Sequence, residues 1–270
     1  MALVPFPGTK SGAYKALPPD DDDDLLAGGK MSFLEHLDEL RKRIVNSCIA
    51  VGVGIVLTFA FIEPIFTFIL SPTRRALPPG VKLIYTQPGE AFSLYVTVAL
   101  IAGAVAAAPF IMYQVWMFIA PGLYSNEKRM AIPFVFFTTF GFLLGAAFNH
   151  YIAFPFIMKF FASFNTPDLA FMPKLEDVFG LYTKMLLGMG VVFQLPAVVY
   201  FLARLKLVTA RFLARQFKYA VLLTFIISAV ITPTGDPTTQ TIFAAPMIAL
   251  YVLSIGIAWV VGPKKIHGDD

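Results

Sequence analysis

At 270 residues, 57% hydrophobic and only 14% charged, with a mean hydropathy of +0.73, the chain has too little polar surface for a water-soluble domain and reads as a polytopic membrane protein. Its net charge of +4 calls for no nucleic-acid partner, because membrane proteins concentrate Lys and Arg in loops on one side of the bilayer. The lone Cys48 excludes an intrachain disulfide and a cysteine metal cluster.

Residues 1–30 mix Pro and Gly with the acidic run Asp20 to Asp24 and hold no apolar stretch long enough for a signal-peptide core. They read as a disordered acidic tail, ahead of a six-helix transmembrane domain over 31–262 and a short tail over 263–270. Ser32 with Glu35 forms a capping box. Phe33, Leu37, Leu40 and Ile44 recur at helical spacing, opposite Glu35, Asp38, Glu39 and Lys42. This predicts a capped helix at the membrane surface that runs into the first span, 44–62, whose 19 uncharged residues approach the roughly 20 needed to cross about 30 Å of hydrocarbon.

From 64 to 88 the prolines Pro64, Pro72, Pro78, Pro79 and Pro88, with Arg74, Arg75 and Lys82, predict an outer loop. The second span lies within 91–118 and carries Pro109, which removes a backbone hydrogen bond and predicts a kink. A short loop, 120–129, opens on Pro121-Gly122. The third span is 132–156, with Pro133 and Pro155 near its ends, followed by a second outer loop over 159–176. The fourth span, 178–203, is interrupted by Lys184, Gln194 and Pro196, and a basic loop follows with Arg204, Lys206, Arg211, Arg215 and Lys218. The fifth apolar run, 219–231, is 13 residues, about 20 Å of helix and too short for an unperturbed bilayer. Asp236 then reads as an N-cap with Pro237 at the first helical position, opening a sixth span to 261 that Pro246 kinks.

Six spans put both ends on one side. That side carries twelve Lys and Arg outside the first tail (41, 42, 43, 128, 129, 204, 206, 211, 215, 218, 264, 265), against five on the other (74, 75, 82, 159, 174). The bias predicts cytoplasmic termini. The fold class is therefore an all-α polytopic membrane protein with six transmembrane helices.

No active-site constellation stands out. The three histidines, His36, His150 and His267, fall at three separate membrane boundaries, and there is neither a Walker sequence nor a Gly-x-Ser-x-Gly elbow. An enzyme is not indicated, and no metal or cofactor is called for. What remains is a set of polar groups at membrane depth or its rim, where each is costly. Lys184 reads as a snorkelling side chain. For Gln194, an interhelical hydrogen bond and a functional role both stand. Asp236 reads as a cap or as a functional charge, and Glu39 and Glu127 read as solvated helix charges or as binding groups.

Three stretches carry a resemblance. Phe33-Leu34-Glu35-His36-Leu37-Asp38-Glu39-Leu40-Arg41-Lys42-Arg43, then Tyr113-Gln114-Val115-Trp116-Met117-Phe118-Ile119-Ala120-Pro121-Gly122-Leu123, then Ile231-Thr232-Pro233 through Pro246, resemble in order and spacing the TatC family, multispanning subunits of the twin-arginine protein translocase. The likeness covers nearly everything from Ser32 to Val261. It implies a cupped six-helix protein of the bacterial cytoplasmic (inner) membrane, with kinked helices, short fifth and sixth helices and no enzymatic activity. It further implies a receptor for the signal peptides, bearing two adjacent arginines, of folded cargo, self-associating and working with the single-span subunits TatA and TatB in export driven by the proton-motive force. By the same resemblance Glu39 and Glu127 are the signal-binding carboxylates, with Phe118, Pro121, Leu123, Leu37 and Arg41 beside them. Gln194, Asp236 and Gln240 are the polar positions toward partner helices. Many family members carry glutamate where this chain has Gln194, so an account needing a titratable group there does not transfer. The runner-up readings are a secondary transporter of small solutes, which also uses broken helices and midplane polar groups, and an assembly scaffold.

Overall fold

A computed structural model of the chain describes residues 33–77, 81–119, 131–166, 168, 170–232 and 236–262. The expected tails, 1–30 and 263–270, and the capping Ser32 lie outside the described residues. The chain falls into two units, residues 1–41 and 42–270.

The helices follow the apolar runs. They are α1 (Phe33–Phe59), α2 (Ile62–Ala76), α3 (Glu90–Ile119), α4 (Ala131–Phe148), α5 (Phe154–Ala162), α6 (Leu175–Val192), α7 (Leu195–Arg204), α8 (Ala210–Arg215), α9 (Phe217–Ile231) and α10 (Pro237–Val261). Among the described residues, five stretches are long and apolar enough to cross a bilayer: Leu34–Phe59, Glu90–Ile119, Ile132–Ala162, Leu175–Arg204 and Pro237–Val261. The shorter apolar α9 completes the six-span count. The described residues hold no β-strand; an isolated bridge pairs Ile84 with Lys174.

Three expectations change. The loop expected from 64 to 88 is helical as far as Ala76. Pro64 falls in the first turn of α2, where no amide needs a partner, and the run Ile65, Phe66, Ile69, Leu70 gives the helix an apolar face packed into the core. The third span does not stop near Pro155; it continues to Ala162 through a π turn, Asn149–Ala153, just ahead of the proline that lacks an amide hydrogen. That turn buries His150 inside the span rather than at its edge, stacked on Phe68 at 4.1 Å with Nδ1 3.0 Å from the Tyr182 hydroxyl. Finally, α9 is short at 15 residues, about 22 Å, but α10 is not, at 25 residues.

The main core gathers α2, α3, α5, α6 and α10 around Val98, Phe154, Ile157, Met185, Met189 and Phe243. A small cluster of Val199, Ala203, Leu213 and Ala258 ties α7, α8 and α10 together. Glycines set two close crossings. A Cβ on Gly54 would lie 2.5 Å from the Gly103 carbonyl oxygen, and one on Gly145 would lie 2.6 Å from that of Met189, so α1 meets α3, and α4 meets α6, backbone to backbone.

Candidate functional site

The candidate residues fall into three groups. Leu37, Glu39 and Arg41 sit in the early turns of α1, with Leu37 and Arg41 exposed and Glu39 half-buried. Phe118, also half-buried, stands one residue before the end of α3. Pro121, Leu123 and Glu127 lie outside the described residues. One contact that sequence reasoning missed sits nearby: Arg43 Nη1 donates to Gln114 Oε1 at 3.2 Å, and Gln114 is only 4% exposed. An amide inside a 30-residue apolar helix was the available signal, since a buried polar side chain demands a partner. The pair joins the first resembling stretch to the second.

Gln194 follows from its proline. Pro196 lacks an amide hydrogen and its ring blocks the carbonyl four residues back, so α6 ends at Val192 and α7 starts afresh at Leu195. At this break Gln194 Nε2 donates to the Thr138 carbonyl of α4 at 3.0 Å and lies 3.4 Å from the Gly190 oxygen. Gly141 permits the approach, as a Cβ there would come within 3.1 Å of the Phe193 carbonyl oxygen. Gln194 Oε1 is buried with no hydrogen-bond partner among the described residues. Lys184, earlier on α6, is exposed.

Asp236 caps α10. Its backbone is extended (φ −82°, ψ 140°), Oδ2 accepts from the Thr239 amide at 2.6 Å, and Pro237 occupies the first turn. Gln240, half-buried one turn on, offers its carbonyl to the Ser228 hydroxyl of α9 at 2.7 Å. The two amide positions are not one site. Gly188 on α6 faces Phe243 on α10, where an added Cβ would be 3.0 Å from the ring. By span order the two helices run the same way, so Gln194 lies six residues, about 9 Å, to one side of that level and Gln240 three residues, about 4.5 Å, to the other. The structure thus places Asp236 with Gln240 and keeps Gln194 apart at another depth.

A family model described as Sec-independent protein translocase protein (TatC) matches residues 35–246. The chain is 41% identical over 238 residues to the Sec-independent protein translocase protein TatC of Koribacter versatilis, covering 87% of this chain and 88% of that one. It is 43% identical over 241 residues to its counterpart in Desulforapulum autotrophicum, 89% of each chain. The crystal structure of a twin-arginine translocase receptor, TatC, superposes with a TM-score of 0.75 at 34% identity, over 83% of this chain and 98% of that one.

Proposed function

The chain belongs to the TatC family of Sec-independent protein translocases, and from that premise we propose that it is the receptor that binds twin-arginine signal peptides and organises export of the folded proteins carrying them. The family match sets aside the secondary-transporter reading. It acts by binding rather than by making or breaking bonds, in a bacterial cytoplasmic membrane with both termini cytoplasmic, as the basic side chains favour.

The observation that carries the reading is α1. At 27 residues it amounts to about 40 Å of helix, longer than the roughly 30 Å hydrocarbon core, and its surplus is the charged stretch with Glu39 and Arg41. A guanidinium is a planar fork that matches a carboxylate, whereas a lysine ammonium is a compact, hydrated point charge. Two adjacent arginines call for two acids, and Glu39 and Glu127 fill those roles, with Leu37, Arg41, Phe118, Pro121 and Leu123 shaping the surroundings. Gln194 at the helix break and Asp236 with Gln240 are two separate stations for the single-span subunits TatA and TatB, and the chain associates with copies of itself within the complex.

The test is peptide binding to arginine-arginine and lysine-lysine signals by wild type, Glu39→Gln and Glu127→Gln. Wild type should prefer paired arginines, and each substitution should weaken arginine binding by roughly 10 to 100 fold where the pair is partly desolvated. Undiminished discrimination in both variants would return these glutamates to the status of surface charges. In cells, export of a folded reporter with the partner subunits should depend on both arginines.

A further inference from the structure

A cavity of about 890 Å³ lies toward the C-terminal ends of α7 and α10, walled by α3, α4, the break between α6 and α7, α7 and α10. That volume lies within the range of about 300–1,000 Å³ typical of small-molecule sites. Its walls are almost wholly apolar, from Phe137 and Leu144 on α4 to Leu253 and Trp259 on α10. Among the described residues Arg204, the last residue of α7, is the one charged side chain lining it, and it is exposed.

Two measurements choose the occupant. From Phe193 to Arg204 the wall is eleven residues, about 16 Å of helix, which is the depth of one leaflet of a roughly 30 Å core. A spanning partner helix needs about twice that length. Charge decides the rest: 204–218 carries Arg204, Lys206, Arg211, Arg215 and Lys218 and no acid. An apolar signal segment with a basic flank brings like charge to Arg204, whereas a phosphate matches its guanidinium fork.

We propose that this groove binds an anionic phospholipid of the leaflet on the terminus side, with its acyl chains along the apolar walls and its headgroup phosphate on Arg204. A long side chain at the end of a span reaches the headgroup level, and basic residues close to a bilayer attract anionic lipid.

The chain supplies its own reporter. It has two tryptophans, and both Trp116, 2% exposed, and Trp259 line the groove. With Trp259→Phe as background, the full chain in nanodiscs of phosphatidylcholine is titrated with phosphatidylglycerol or phosphatidylcholine bearing brominated acyl chains, and Trp116 quenching is read. Brominated phosphatidylglycerol should half-quench at a roughly fivefold lower mole fraction than brominated phosphatidylcholine, the scale expected of one basic residue near the surface. Arg204→Gln should abolish that preference while leaving chain quenching, and Arg204→Lys should retain part of it. Gly256→Leu fills the groove, since an added Cβ there meets nothing within 4 Å, and should lower quenching by both lipids. Equal quenching by the two headgroups, or a preference that survives Arg204→Gln, overturns the proposal. Equal quenching that a synthetic arginine-arginine signal segment then abolishes gives the groove to that segment instead.

Discussion

Replacing Gly54 by Ala tests how closely α1 and α3 are held. The two helices run antiparallel, and three contacts fix their register: Arg43 with Gln114, Gly54 with Gly103, and the Thr58 hydroxyl with the Ala99 carbonyl at 3.0 Å. A methyl group on Gly54 would stand 2.5 Å from the Gly103 oxygen and 3.1 Å from its carbon, so α1 must retreat by about 0.9 Å to reach ordinary contact. A gap of about 0.5–1 Å forfeits a quarter to a half of each dispersion contact along the seam. The Thr58–Ala99 contact would lengthen to about 4 Å and be lost, and the hydroxyl would keep the Gly54 carbonyl of its own helix at 2.9 Å, so this loss adds at most about 0.6 kcal/mol. Overpacking of this kind costs about 1–3 kcal/mol, and the better helix propensity of alanine returns about 0.5–1 kcal/mol. The net is about 1–3 kcal/mol. At about 2–4 °C per kcal/mol for a chain of this size, the melting temperature of the purified protein should fall by roughly 2–12 °C.

Gly52→Ala is the matched control. It sits on the same helix, and an added Cβ there meets nothing within 4 Å, so it keeps the propensity gain without the clash and should melt at or slightly above wild type. If Gly54→Ala melts with Gly52→Ala, the crossing has slack and the argument fails. The same retreat would pull Arg43 from Gln114, four residues before Phe118, so export should fall alongside stability.

Three further outcomes follow from the geometry. Gln194→Leu should leave the melting temperature nearly unchanged, because Gln194 Oε1 has no partner among the described residues and Thr138 keeps its place inside α4, while co-purification with single-span subunits weakens. Asp236→Ala should cost about 0.5–2 kcal/mol as a lost cap, and Asp236→Asn should melt as wild type; export lost in Asp236→Asn while its stability is kept assigns a role to the charge. Inserting one turn of leucines into α9, about 8 Å short of a 30 Å core, should reduce export while peptide binding persists, and unchanged export removes local bilayer thinning as a mechanism.

Five spans were legible because their apolar runs are nearly as long as the bilayer demands, α9 because its shorter run is set off by a basic loop and Asp236, and the chain breaks of functional interest because proline causes them. Pro196 announces the stop at Val192, and Asp236-Pro237 announces the start of α10. Helix α2 was hidden because composition spoke louder than period: its prolines and Arg74-Arg75 masked the stripe through Ile65, Phe66, Ile69 and Leu70. The π turn is marked locally only by Pro155, while the partners that bury its His150, Phe68 and Tyr182, are distant in sequence. The same holds at the candidate sites. Gln114 and Gln194 are visible as costly polar residues, but that one reaches Arg43 and the other the Thr138 backbone depends on helix register, set by glycine crossings rather than by any motif.

Glu90, the first residue of α3, ties two segments of the chain together. Its Oε2 accepts from the Thr86 amide at 2.9 Å and the Gln87 amide at 3.3 Å, and its Oε1 accepts from the Glu176 amide at 3.2 Å. One carboxylate thereby joins the segment before α3 to the first turn of α6, alongside the bridge in which the Leu175 amide donates to the Ile84 carbonyl at 2.8 Å and the Ile84 amide to that of Pro173 at 3.2 Å. Glu90→Gln keeps the size but exchanges an acceptor for a donor, so it sets an N–H against either the Thr86 and Gln87 amides or the Glu176 amide. Hydrogen exchange in the variant should accelerate at one of those two groups, whichever the new NH₂ faces, while amides of the buried α6 core at Met185 and Met189 stay protected. Lys174→Met is the contrast: its ion pair with Glu176, 3.1 Å and open to solvent, is screened by salt and should leave exchange at Thr86 and Gln87 unaltered. If all three amides exchange at wild-type rates in Glu90→Gln, the bridge alone holds the two segments and the carboxylate is incidental.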